Sequence, residues 1–295
     1  MTTNTHAPIR ARRSALYLPA SNARAIEKAR TVAADVIILD LEDAVLPAAK
    51  PAARDAAVAA IAAGGFGTRE VVVRVNGIDT PWGADDLRAV AASRVDAVLL
   101  PKVSGVSSVG AAIRAIDSAG GAKLPIWAMV ELPEAVLSLE AIAAANPRLS
   151  VAVMGTADLA KALRVPPDPA RVGLVPALAR CVLAARARGL DILDGVFTDL
   201  RDTTGLTDAC RQGKALGFDG KTLIHPAQIA IANEVFGVSV AAARDAARLI
   251  EAWEAAAEAG QGIAVVDGRM VERLHAEEAR RVLALHAVQA DHTAE

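Results

Sequence analysis

Short apolar runs recur eight times along the chain, and each stops at a polar or turn-forming residue. They cover 15–18, closed by Pro19; 35–39, ending on Asp40; 71–75, ended by Asn76-Gly77; and 97–100, ended by Pro101-Lys102. Further on come 126–130, ended by Glu131; 151–154, ended by Gly155; Ile192-Leu193, running into Asp194; and 218–224, ended by His225-Pro226. Alanine-rich segments of helical length lie between them, at 22–33, 52–63, 84–92, 106–119, 135–145 and 176–188. In the first of these Ile26 and Arg30 are expected on opposite faces. Continuous apolar runs alternating with helices predict strands covered on both sides, hence a parallel sheet. Eight such units predict a (β/α)8 TIM barrel, an α/β fold of roughly 250 residues. A doubly wound open sheet is the rival, but no Gly-x-Gly-x-x-Gly follows the first run.

The predicted organisation has three parts: a flexible N-terminus over 1–12, the barrel over 13–237, and a C-terminal helical extension over 238–295. Residues 226–236 read as the eighth helix. A long helix is expected over 239–259, with Ser239 as N-cap and Gly260 as its stop. A short hairpin over 261–270 and a last helix over 271–288 follow. An appendage of that size is expected to pack on a neighbouring subunit or to cover a site.

Charge and composition narrow the function. Lys plus Arg number 32 against 34 Asp plus Glu, a net charge of −2, so no basic excess points to nucleic acid. Two cysteines, Cys181 and Cys210, are too few for a disulfide scaffold or a multi-cysteine zinc site. No apolar run of membrane-span length and no signal-peptide pattern are evident, and a cytoplasmic protein is expected. Aromatics make up only 3% of the chain, so a ligand must be held mainly by polar groups and backbone.

Barrel chemistry sits at the carboxyl ends of the strands. The polar residues expected there are Asp40, Glu42, Asp43, Arg74, Asn76, Lys102, Glu131, Asp158, Asp194 and His225. Glu131 and Asp158 follow successive strands and point into one part of the rim. Mg2+ keeps several waters and takes one or two carboxylates, which such a pair satisfies, and the lack of soft ligands argues against zinc. Rim acids that merely cap helices are the other reading of the pair. Asp40, Glu42 and Asp43 fall within four positions, either as a capping cluster or as acids ordering a metal's water and its basic neighbours. Arg74, inside an apolar strand, suits a bidentate clamp on a carboxylate or a structural ion pair. Lys102 reads as a surface lysine rather than a catalytic one, His225 as structural, with a catalytic role kept open by its place on the rim, Cys181 as a core thiol, and Trp82, Trp127 and Trp253 as packing residues.

These motifs resemble the citrate lyase beta-subunit-like CoA-ester lyases of the HpcH/HpaI aldolase/citrate lyase superfamily, which include malyl-CoA and citramalyl-CoA lyases. The resemblance runs from Arg13 to about Val282. It rests on Arg13-Ser14, Glu27-Lys28-Ala29, Asp40-Leu41-Glu42-Asp43-Ala44-Val45, Val73-Arg74-Val75-Asn76 and Pro101-Lys102-Val103. Val130-Glu131, Gly155-Thr156-Ala157-Asp158-Leu159, Gly220-Lys221, Ile224-His225-Pro226 and Asp267-Gly268-Arg269-Met270-Val271 complete it.

The resemblance implies Mg2+ (or Mn2+) on Glu131 and Asp158, with Glu131 also meeting substrate and Arg74 holding the substrate carboxylate. It implies that Asp40, Glu42 and Asp43 organise the metal's surroundings, Asp43 taking part in catalysis. It places Arg24 and Lys28 near the CoA phosphates, although Ala20-Ser21-Asn22 departs from the family's first loop. Glu272 stands where relatives commonly carry an Asp that transfers a proton across the subunit interface of a trimer or hexamer.

The implied reaction cleaves a 3-hydroxyacyl-CoA of citramalyl, malyl or citryl type into acetyl-CoA and a 2-oxo acid. The expected partners are thus a CoA thioester, a 2-oxo acid and further copies of the chain. Three alternatives stand beside it: a metal aldolase on free 2-oxo acids, a citrate lyase subunit working on an acyl-carrier protein, and a non-catalytic assembly subunit.

Overall fold

Strands that are apolar on both sides leave one side exposed in a bare sheet; closing into a barrel jacketed by helices buries both. The computed structural model, which describes residues 9–293, has that arrangement. The strands are β1 (Ser14–Pro19), β2 (Val36–Asp40), β3 (Glu70–Arg74), β4 (Ala97–Leu100), β5 (Ile126–Val130), β6 (Leu149–Met154), β7 (Asp191–Asp194) and β8 (Gly220–Leu223). All pair in parallel and in chain order, and β8 returns to β1 to close the barrel.

All eight predicted strands are present, and β4 and β5 keep the predicted limits. β8 is shorter because Phe218 belongs to the turn before it, its N–H donating to Gly213 O at 3.1 Å. Alternate residues fill the barrel interior, among them Val36, Ile38, Val72, Leu99, Trp127 and Met129. The other set packs outward against the helices, where alanines let helix and sheet approach closely.

The helices between strands are α1 (Ala23–Ala29), α2 (Lys50–Ala63), α3 (Gly83–Ala91), α4 (Val106–Ser118), α5 (Pro133–Ala145), α6 (Thr156–Leu163), α7 (Val175–Ala187), α8 (Thr203–Leu216) and α9 (Ile229–Phe236). α1 stops four residues short of the predicted 22–33. Its Ile26 and Arg30 share a face rather than opposing each other, because residues four apart are about one helical turn apart. Ile26 is buried, while Arg30 lies 5.2 Å from the Phe66 ring and donates to Gly64 O at 2.8 Å.

α6 and α8 were not read from the sequence. α8 has a weak helical signature, Thr203-Thr204-Gly205 at its start and Gly213 inside. Its ends decide it: Asp202 accepts from Gly205 N at 2.8 Å, and Gly217 ends it at φ +99°, where a side chain would be strained.

The amino-terminal end of the barrel is closed by charge pairs. Arg12 donates twice to Glu70, at 2.7 and 2.9 Å, pairs with Asp191, and lies 5.3 Å from the Trp127 ring centre. Arg13 makes a fork on Asp35 at 2.8 and 2.7 Å. Most of the expected flexible segment 1–12 lies outside the described residues; Arg12, inside them, is tied down.

The described residues divide into two units. Arg12–Phe236 is the barrel; the second consists of Gly237 onward together with the described residues before Arg12. The second unit holds α10 (Val240–Glu258), capped by Ser239 as expected, the antiparallel pair β9 (Ala264–Val266) and β10 (Arg269–Val271), and α11 (Arg273–Thr293). Ala256, Ala264 and Val271 form its small core with Leu249 and Trp253. Contrary to the sequence reading, the stretch Pro226–Glu258 reaches a mean hydropathy of 1.2, enough by length and composition for a membrane span. Gly237, Val238 and Ser239 interrupt it between two helices.

Candidate active site

Strand alternation aims three charged side chains into the carboxyl end of the barrel. Ile38, Val72 and Met129 face the interior, so Asp40, Arg74 and Glu131, two positions on, face the same way. Asp40 and Arg74 are also register partners on β2 and β3. Arg74 Nε and Nη2 donate to Asp40 Oδ1 and Oδ2, both at 2.6 Å. The other Asp40 hydrogen bonds come from the N–H groups of Glu42 and Ala44, at 2.9 and 3.0 Å. The Arg74 guanidinium lies 4.9 Å from the Tyr17 ring centre. Burial pulls the Arg74 pKa down, but the Asp40 hydrogen bonds and charge lift it above its ordinary value, so the group stays cationic. With Asp40 on the Nε edge, the two Nη groups present the remaining edge, next to Glu42 Oε2 at 2.9 Å and Met129 Sδ at 3.6 Å.

The acids meet around Lys102. Lys102 stands at φ +49°, left-handed for a lysine, and its N–H donates to Glu131 Oε1 at 2.6 Å. Its ammonium pairs with Asp158 and lies 3.5 Å from Glu131 Oε2 and 3.8 Å from Glu42 Oε1. Burial raises the Glu131 pKa against the pull of Lys102. Burial pushes Glu42 up to about 7, with Arg74 pulling down and Asp43 pushing up. Glu42 Oε2 is buried and accepts no hydrogen bond, its Arg74 neighbour being out of line. Gly155 is required beside Glu131: a Cβ there would sit 2.4 Å from Glu131 Cβ and 2.7 Å from Oε2.

This donor set fits a hard divalent cation. The groups are all carboxylate oxygens, they already gather around one positive charge, and Glu42 offers a buried oxygen without a donor. Among the described residues no three His, Cys, Asp or Glu groups stand close enough to form a metal cage. Two carboxylates plus waters is the ligation Mg2+ usually takes.

Seven of the ten rim residues come together: Asp40, Glu42, Asp43, Arg74, Lys102, Glu131 and Asp158. Asp43 stands at the exposed margin, 3.5 Å from Arg74 Nη1. The other three are engaged elsewhere. Asn76 binds Lys50 and Asp86. Asp194 points into the helix layer, held by Lys221 and Arg171, each at 2.8 Å. His225 Nδ1 accepts from Ala227 N at 3.1 Å, a capping role. Arg24 and Lys28 are exposed on α1, and Glu272 belongs to the second unit, just before α11.

Lys102 is not the surface lysine expected from the sequence. The signal available was its place two residues past the end of β4, near the rim where Glu131 directly follows β5. Lys50 was missed altogether. From α2 it donates to Leu41 O, Glu42 O and Asn76 Oδ1 at 2.9, 2.8 and 2.7 Å, holding the acidic loop in place. No local pattern marks it.

The model of the HpcH/HpaI aldolase/citrate lyase family matches residues 13–226. The chain is 50% identical over 272 residues to a (3S)-malyl-CoA thioesterase of Cereibacter sphaeroides, covering 92% of this chain and 93% of the relative. It is 36% identical over 292 residues to an L-malyl-CoA/beta-methylmalyl-CoA lyase of the same organism, covering 90% and 91%. Among solved structures it is similar to protein CitE of Mycobacterium tuberculosis in complex with magnesium, acetoacetate and coenzyme A. That likeness has a TM-score of 0.72 at 30% identity and covers 93% of this chain and 97% of the other.

Proposed function

Since this chain belongs to the HpcH/HpaI aldolase/citrate lyase family, we propose that it is a Mg2+-dependent hydrolase of a malyl-type CoA thioester. The carrying observation is the Nη edge of Arg74, oriented by Asp40, turned toward Glu42 and Asp43 at the carboxyl end of the barrel, where Glu131 and Asp158 also gather. A fixed guanidinium edge next to hard oxygen donors suits a substrate with a carboxylate and a neighbouring hydroxyl. The likeness to the (3S)-malyl-CoA thioesterase, at 50% identity, favours hydrolysis over carbon–carbon cleavage.

Arg74 would clamp the substrate's free carboxylate, while Asp40 keeps the guanidinium from turning. Glu131 and Asp158 would hold Mg2+, which when bound supplies Lewis-acid polarisation of substrate oxygens. Glu42 Oε2 would take the proton from the attacking water, being a buried acceptor without a donor and near neutrality in pKa. The new C–O bond forms at the thioester carbonyl, the C–S bond breaks, and CoA leaves as thiolate to be protonated from solvent. Asp43, exposed at the margin and 3.5 Å from Arg74 Nη1, would help to steer the clamp onto the substrate carboxylate from the open side.

A second reading is the lyase reaction, favoured by the 36% identical lyase relative. Glu42 would then take the substrate hydroxyl proton, and Glu272 of a neighbouring copy would protonate the acetyl-CoA enolate. For that reason a homo-oligomer is also proposed, packed through the second unit, where Val265, Met270 and Leu274 are 70, 56 and 59% exposed. Arg24 and Lys28 keep their proposed place near the CoA phosphates.

The deciding experiment incubates the purified protein with malyl-CoA, with Mg2+ and with chelator, and follows free thiol and 2-oxo acid together. Thiol and malate without 2-oxo acid support hydrolysis. Glyoxylate and acetyl-CoA without thiol overturn it in favour of the lyase. Neither product with Mg2+ overturns both.

A further inference from the structure

The proposed chemistry gives the Lys102 side chain no part, yet its ammonium stands where the metal would go. It pairs with Asp158, lies 3.5 Å from Glu131 Oε2 and 3.8 Å from Glu42 Oε1. A divalent ion held by Glu131 and Asp158 and an ammonium on the same oxygens exclude each other by charge and by space. Without either, Glu131, Glu42 and Asp158 would be left with Arg74, already paired with Asp40, as the cation beside Glu42, which the fold cannot hold cheaply.

The backbone and the exposures favour a side chain that moves over a cradle that does not. The left-handed φ of +49° at Lys102 aims its N–H at Glu131 Oε1, a contact independent of where the side chain goes. The Lys102 side chain is 37% exposed and so has a way out, whereas Glu131, at 2%, has none.

We propose that Lys102 is a resident counter-ion, holding the acid cluster together in the metal-free protein and exchanged for the divalent ion on loading. The inference rests on Glu131 and Asp158 being the metal's ligands. Because the ion must displace a bound cation, Lys102 lowers the apparent metal affinity and links it to the stability of the metal-free state.

The test is calorimetric titration of Mg2+ into metal-free wild type, K102M and K102Q at one pH and ionic strength, with melting curves in parallel. Both replacements are unbranched at Cβ and keep the N–H that Glu131 accepts. Both are expected to bind Mg2+ about tenfold or more tightly than wild type. Metal-free, they melt below wild type, and the gap closes at saturating Mg2+. A variant that folds only with Mg2+ also supports the exchange. Equal or weaker Mg2+ binding in both variants, with wild-type binding intact, overturns it and leaves the metal ligands standing. Absence of Mg2+ binding in all three proteins overturns the ligands and the exchange together.

Discussion

Asp40 grips Arg74 from the adjacent strand, with two hydrogen bonds of 2.6 Å between register partners on β2 and β3. The grip occupies one guanidinium edge and fixes the other. R74K keeps the charge but loses the planar fork, so kcat/KM on a carboxylate-bearing thioester is expected to fall about 100-fold or more. D40A leaves a buried guanidinium without its partner and is expected to cost about 3–5 kcal/mol. Denaturant unfolding of D40A and steady-state kinetics of R74K check the two.

Gly155 gives Glu131 its room. In G155A the new Cβ would lie 2.4 Å from Glu131 Cβ, so the carboxylate must move. Mg2+ affinity, read by titration, is expected to drop about tenfold or more, because ligand geometry is what Mg2+ demands. Wild-type affinity in G155A would remove Glu131 from the metal site.

Glu42 carries a pH signature in the metal-free protein. Its folded pKa, about 7, lies above the unfolded value of about 4.3, so the folded chain binds this proton more tightly. Its contribution to stability is full below about pH 4.3 and is lost as pH rises through about 7. Melting temperatures from pH 5 to 8 are expected to show this decline in wild type and a flatter profile in E42Q. The same variant is expected to lose turnover, the outcome the proposed role of Glu42 as base requires.

Cys181 and Cys210 are buried, and desolvation pushes their thiols up to about 12 and about 11. Unfolded, each ionises near 8.5, so the folded state keeps protons the unfolded state has lost, and stability falls as pH rises from about 8.5 upward. Iodoacetamide at pH 8 is expected to leave both unlabelled until denaturant is added. Mass spectrometry of the labelled protein decides it.

The barrel was legible from local pattern because each strand is buried on both faces: 97–100 and 126–130 read directly as β4 and β5. Helix ends read less well. α8 owes its limits to the Asp202 cap and to Gly217, and α6 is a short helix begun at Gly155.

Sequence alone determined the strand order, the carboxyl-end acids and Arg74, since a charge interrupting an apolar strand is visible without coordinates. Tertiary structure decided which charges meet. Asp194 and Asn76 turn to the helix layer, while Lys102, which looked like a surface residue, enters the acid cluster. The reason is geometric: strand period sets the direction of a Cβ, but a long side chain's destination depends on which oxygens neighbouring strand ends bring within reach.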